Sequence, residues 1–86
     1  MMTPEGRLKK AIKEQLNECG AFWSMIPEGS YAKTGDPDMV ACYKGCYIAI
    51  EAKTPVGAQS DWQKLRQQQI EAANGFYVLA RSVDDV

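Results

Sequence analysis

The chain opens on an amphipathic stretch in which Leu8, Ala11, Ile12 and Leu16 recur at helical spacing. Thr3 stands at the N-cap, Pro4 follows at the first helical position, and Gly20 ends the run. This pattern predicts a first helix. Ala21-Phe-Trp-Ser-Met-Ile26 is then a short aromatic and apolar strand closed by Pro27, and the polar segment from Glu28 to Gly35 is a loop leading to Asp38. Met39–Tyr43 and Cys46–Ile50 are β-prone runs on either side of Lys44-Gly45, which has the chemistry of a two-residue hairpin turn. After a turn at Thr54-Pro-Val-Gly57, a second helix starts at Gln59 or Ser60. Trp62, Leu65, Gln69, Ile70 and Ala73 spread along it, and Asn74-Gly75 closes it. Phe76–Ala80 is an unbroken apolar run, as expected of a central strand. Both faces of the hairpin are apolar over most of their length, so the sheet needs cover on both sides. The expectation is a single α/β domain over residues 1–86 in the order α-β-β-β-α-β, without repeats or linkers.

The hairpin also predicts a register. A turn at Lys44-Gly45 puts Tyr43 opposite Cys46, and counting outward puts Asp38 opposite Glu51, with Lys53 on the same face and Asp36 facing Lys53. Two carboxylates set against each other repel, so removing one is expected to leave the protein folded, and something must offset the repulsion. A divalent cation does so with one or two carboxylates, water and phosphate oxygens as ligands. The Lys53 ammonium would then hold a phosphate or activate a water. Asp36, beside Pro37, ranks below Asp38 as a ligand and has the alternative role of a turn or ion-pair residue.

Composition narrows the picture without naming a partner. The formal net charge is −1 and the sequence pI about 5.3, which is no general nucleic-acid footprint. Locally, Arg7, Lys9, Lys10 and Lys13 crowd the first helix, where the plain reading is a solvated face, and Lys33, Lys44, Lys64 and Arg66 are scattered near the acids. The three cysteines, Cys19, Cys42 and Cys46, form no C-x-x-C pair, and no histidine is present to complete a zinc site. They are expected to be small buried hydrophobes in a reducing compartment. With no signal peptide and no long apolar run, a soluble cytoplasmic protein is expected.

Asp38 with Glu51-Ala52-Lys53, preceded by Pro37, resembles the PD-(D/E)xK nuclease signature. Thr3-Pro-Glu5 at the head of the first helix, Gly35-Asp-Pro-Asp38, Ile50-Glu-Ala-Lys53, Gln63, Asn74-Gly75 and Phe76-Tyr-Val-Leu-Ala-Arg-Ser-Val together resemble the compact stand-alone form of the VRR-NUC (virus-type replication-repair nuclease) domain. The resemblance covers nearly the whole chain and implies a restriction-endonuclease-like core, a small mixed sheet with helices on both faces. It also implies a Mg²⁺- or Mn²⁺-dependent endonuclease acting on structured DNA, akin to Holliday-junction resolvases and working as a homodimer. Asp38, Glu51 and the Ala52 carbonyl would hold the metal, and Lys53 would be catalytic. The resemblance further implies that Glu5 reaches the metal, although a carboxylate in a first helical turn also suits the helix dipole. Gln63 would support the site, with Gln59 as its substitute, although Ser60 and Gln63 already match a capping box. Candidate DNA contacts are Lys10, Lys13, Tyr31 and Lys33, with Thr34 beside them; a plain connector is the other reading of that loop. The contrasting function is a non-catalytic DNA-binding or assembly module that keeps the fold, and the least specific is an unrelated α/β interaction domain.

Overall fold

The structure is a computed structural model that describes residues 3–27, 35–53, 57–82 and 86. Tyr31, Lys33 and Thr34, together with the turn residues 54–56, lie outside the described residues. The element order is α1 (Pro4–Glu18), β1 (Phe22–Met25), β2 (Met39–Tyr43), β3 (Cys46–Ala52), α2 (Asp61–Ala72) and β4 (Phe76–Ala80), as expected from the hydrophobic pattern. The strands form one mixed sheet in sequential order β1-β2-β3-β4; β1, β2 and β3 run antiparallel in turn, and β4 runs parallel to β3.

The β2–β3 register is the one that the turn dictates. Met39 pairs with Ile50 and Tyr43 with Cys46, so continuing the ladder by one residue sets Asp38 opposite Glu51. Lys44 (φ 49°) and Gly45 (φ 81°) both occupy the left-handed region, the requirement of a type I′ turn whose twist matches the strands.

The pleat divides the sheet into two unlike faces. On one, Met39, Ala41, Ile50, Ala52 and Ala80 are buried under Ile12 and Leu16 of α1, with Leu8, Trp23, Met25, Ile48 and Val78 packed around them. This is the hydrophobic core. The other face carries Glu51 and Lys53 and receives α2. No residue of α2 is buried, and Trp62 remains 56% exposed. The helix is held instead by a capping box at Ser60, by polar contacts to the sheet, and by Ile70, which abuts Gly75.

Two expectations are corrected. Phe76–Ala80 is an edge strand, hydrogen-bonded to β3 alone among the described strands; its apolar run reflects helices on both faces, and periodicity cannot distinguish that from pairing on both sides. The cysteines are not buried: Cys19 and Cys42 are exposed and Cys46 is partly so, because Cys42 lies on the half of the α2-side face that also carries the exposed Phe22 and Tyr47.

Gly35 ties the loop before Asp38 to α2. It has φ 85°, and a Cβ added there would lie 2.5 Å from the main-chain carbon and oxygen of Trp62. Gly45 has the same backbone requirement but open space around it. Gly45→Ala is therefore expected to lose about 1–2 kcal/mol in urea unfolding, from backbone strain alone. Gly35→Ala should lose about 2–5 kcal/mol, because overpacking adds to the strain. Equal losses would rule out a docking role for Gly35.

Candidate active site

Glu51 is the last outward-facing residue before β3 ends, and it is 3% exposed, the single buried charged side chain among the described residues. Its two oxygens differ. Oε1 accepts a hydrogen bond from Gln63 Nε2 at 2.9 Å and lies 3.8 Å from Lys53 Nζ. Oε2 is buried with no hydrogen-bond partner among the described residues. Burial, followed by the neighbouring Asp38 charge, pushes the Glu51 carboxyl up to about 7, against the opposing pull of Lys53 and Lys9.

Asp38 reaches the same place from just before the start of β2. Its Oδ2 accepts the Ala52 main-chain N–H at 2.8 Å, and its Oδ1 lies 3.5 Å from Lys9 Nζ. Removing Asp38 would orphan the amide of a fully buried residue, at a cost of about 1–3 kcal/mol. The expectation that either carboxylate can be lost without penalty therefore fails for Asp38. Its repulsion with Glu51 is offset within the chain by this hydrogen bond and the two lysines. Ala52 thus enters the site through its amide as well as its position.

Gln63 performs both roles that its sequence position allowed. Its Oε1 accepts the Ser60 N–H at 2.8 Å, while its main-chain N–H donates to the Ser60 hydroxyl at 3.1 Å, closing the capping box. With Oε1 so engaged, Nε2 must face outward to Glu51, and helix capping sets the amide's orientation towards the carboxylate. Gln59 takes a neighbouring place, donating to Tyr77 Oη at 3.2 Å and to Gln67 Oε1 at 3.0 Å. Burial raises the Tyr77 pKa, opposed by the Gln59 hydrogen bond.

Glu5 lies at the rim. Its Oε1 is 3.7 Å from Lys9 Nζ, so it joins the acids through that lysine. Lys9 was not singled out among the basic residues of the first helix, yet it bridges Glu5 and Asp38; the i, i+4 spacing from Glu5 was the one available signal. Lys13 is engaged elsewhere, 5.9 Å from the Trp23 ring centroid, and Lys10 is exposed on the helix surface. Asp36 does not face Lys53: it pairs with Arg66 of α2 at 3.3 Å, the ion-pair role.

Among the described residues, no three acidic or sulfur side chains form a ready ligand cage for a metal. What the site offers is two carboxylates from adjacent strands, one with a buried unpartnered oxygen. That donor set suits a hard ion that keeps several waters and is completed by a phosphate, as Mg²⁺ commonly is.

No family model matches the sequence, and no curated protein sequence does. Among solved structures, one described as a "VRR_NUC domain" superposes with a TM-score of 0.82 over 95% of this chain and 88% of that one, at 19% identity. The fold is therefore that of a VRR_NUC domain, a restriction-endonuclease-like arrangement. No helix among the described residues is long and apolar enough to cross a membrane.

The raised Glu51 carboxyl has a pH signature. A folded-state value of about 7 against an ordinary 4.5 means that the native state binds the proton more tightly, so metal-free stability falls as pH rises from about 4.5 to about 7. Relative to Glu51→Gln, the native protein is expected to lose up to about 3 kcal/mol across that window, measured by urea unfolding with a chelator present. Parallel pH curves for the two proteins would show that Glu51 does not titrate in this way.

Proposed function

We propose that this protein is a metal-dependent DNA endonuclease that hydrolyses phosphodiester bonds in branched DNA, in the manner of a junction resolvase. The observation that carries the reading is the buried Glu51 opposite Asp38, with Lys53 on the same face, in a chain with the VRR_NUC fold. Asp38 and Glu51, with the Ala52 carbonyl, would hold Mg²⁺ or Mn²⁺; a bound ion of this kind stabilises charge on the phosphate and lowers the pKa of a water. Gln63 keeps the Glu51 carboxylate oriented, and Ala52 N–H keeps Asp38 turned inward. Lys53 holds its ammonium 3.8 Å from Glu51 Oε1, where it would hold a non-bridging phosphate oxygen. Lys10, Lys13, Tyr31 and Lys33 are the proposed contacts to the DNA backbone, giving locally the positive charge that the chain lacks overall.

A homodimer completes the reading. The buried core is small, and Phe22, Cys42 and Tyr47 are cross-strand neighbours that stay exposed, Phe22 by 77%. A second copy covering this row would bring two acid pairs to one DNA molecule.

Cleavage of labelled four-way junction, flap and duplex DNA with Mg²⁺, Mn²⁺ or EDTA tests the activity. Asp38→Asn, Glu51→Gln and Lys53→Ala are each expected to lose on the order of a hundredfold or more in rate, the scale of removing a group that stabilises transition-state charge. Junction binding without cleavage in the wild type would favour the non-catalytic module instead. In sedimentation at micromolar concentration a dimer is expected, and Phe22→Glu should shift it to monomer; a wild-type monomer would remove the dimer.

A further inference from the structure

We propose that Tyr77 is a positioning residue of the active site: through Gln59 it holds the start of α2 on the sheet, in the place from which Gln63 reaches Glu51. This rests on the nuclease reading above and extends it to a residue of β4.

The stripe that α2 turns towards the sheet is polar. Gln63, Arg66, Gln67 and Ile70 are the partly buried positions of the helix, its other residues are exposed, and Gln59 precedes the stripe in phase. An apolar stripe docks a helix by burial; this one has Ile70 alone for that purpose and depends on hydrogen bonds. α2 runs antiparallel to β4: Gln63 stands at Glu51, whose ladder partner is Leu79, and Ile70 stands at Gly75. Tyr77 lies between these two rows, two residues before Leu79 and on the same face.

Gln59 is fully engaged at Tyr77. Its carboxamide nitrogen carries two hydrogens, donating one to Tyr77 Oη at 3.2 Å and the other to Gln67 Oε1 at 3.0 Å. The side chain thus links the residue before the N-cap to the second turn of α2, with Gln63 between the two in the chain, and Tyr77 fastens that link to β4. The peptide unit joining Gln59 to Ser60 supplies the N–H that orients Gln63. Gln63 Oε1 accepts it at 2.8 Å, which leaves Nε2 for Glu51 Oε1 at 2.9 Å. A shift of Gln59 is therefore passed to the Glu51 contact through one peptide unit and two hydrogen bonds. Gln59 serves the site by holding Gln63 in place, not by replacing it.

Two further contacts keep the segment attached. Arg81 Nη1 donates to the Gly57 carbonyl at 2.7 Å, an exposed tether two residues earlier, and Gly35 lies against the Trp62 main chain from the loop before β2. Loss of the Tyr77 hydroxyl is therefore expected to leave the protein folded and α2 docked, with the Gln63 amide no longer fixed on Glu51.

Side-chain amide ¹H–¹⁵N spectra of the metal-free protein test the coupling in the wild type, Tyr77→Phe, Gln59→Leu and Tyr43→Phe. A carboxylate acceptor holds a Gln63 amide proton downfield of those of the exposed Gln68. Tyr77→Phe, which keeps the ring, and Gln59→Leu are each expected to move it at least halfway back. Tyr43→Phe, at the hairpin turn, should leave it unmoved. With junction DNA and Mg²⁺, Tyr77→Phe should lower kcat about three- to tenfold, the scale of one neutral hydrogen bond, with KM within about twofold. Added to Gln63→Leu, it should lose no more than about twofold beyond Gln63→Leu alone, because residues acting through one contact are not additive. An unmoved Gln63 amide in Tyr77→Phe would overturn the proposal, as would a double variant whose loss is the product of the single losses. A wild type that does not cleave would overturn the nuclease reading instead, and the amide spectra alone then decide whether Tyr77 holds Gln63.

Discussion

The structure turns on a carboxylate that is almost entirely out of water. Burying Glu51 is costly unless partners surround it, and each partner comes from a different part of the chain. Gln63 comes from the first turn of α2, Lys53 from the end of β3, Asp38 from the start of β2, and Lys9 from α1 through Asp38. One oxygen of Glu51 is satisfied by this arrangement and the other is not. A fold serving stability alone would have had an apolar residue at this position.

Stability and chemistry are assigned to opposite faces of one small sheet. Ile50 and Ala52 point towards α1 and belong to the core, while Glu51 and Lys53, one residue out of phase, point the other way. The alternation of a strand performs this division without any special geometry. Its consequence appears in α2, which buries none of its residues yet carries Gln63 and Arg66 to the ends of β3 and β2. The loop carrying Asp36 and Asp38 is fitted to the main chain of the same helix at Gly35. α2 therefore positions polar groups more than it covers the sheet.

The near-neutral chain shows why net charge says little about such a site. Two carboxylates, Asp38 and Glu51, meet two ammonium groups, Lys9 and Lys53, with Glu5 joined at the rim through Lys9, so the local field depends on spacing of a few ångströms that a sum over the chain cannot express. The likeness to a solved VRR_NUC domain at 19% identity belongs with this view, since the fold is retained while most side chains differ. A shared fold leaves the chemistry to be argued from the site itself.

Much was legible along the chain because it depends on local counting. A two-residue turn at Lys44-Gly45 determines every pair in the β2–β3 ladder, so the meeting of Asp38 with Glu51 followed from arithmetic. The capping box at Ser60 and Gln63 was likewise local, as were the helix starts at Thr3 and Ser60. The tertiary structure decided what depends on separate elements coming together. Phe76–Ala80 lies at an edge rather than the centre, because an apolar run records the helices above and below it and not the number of strands beside it. Cys42 is exposed because α2 leaves the Phe22–Cys42–Tyr47 row uncovered, which no pattern within β2 can reveal. Asp38 holds the Ala52 amide, and Lys9 rather than Lys10 or Lys13 reaches the acids, because the rotation of α1 over the sheet and the ends of two strands set those distances together. Such contacts join residues far apart in sequence, and only packing determines which side chains meet.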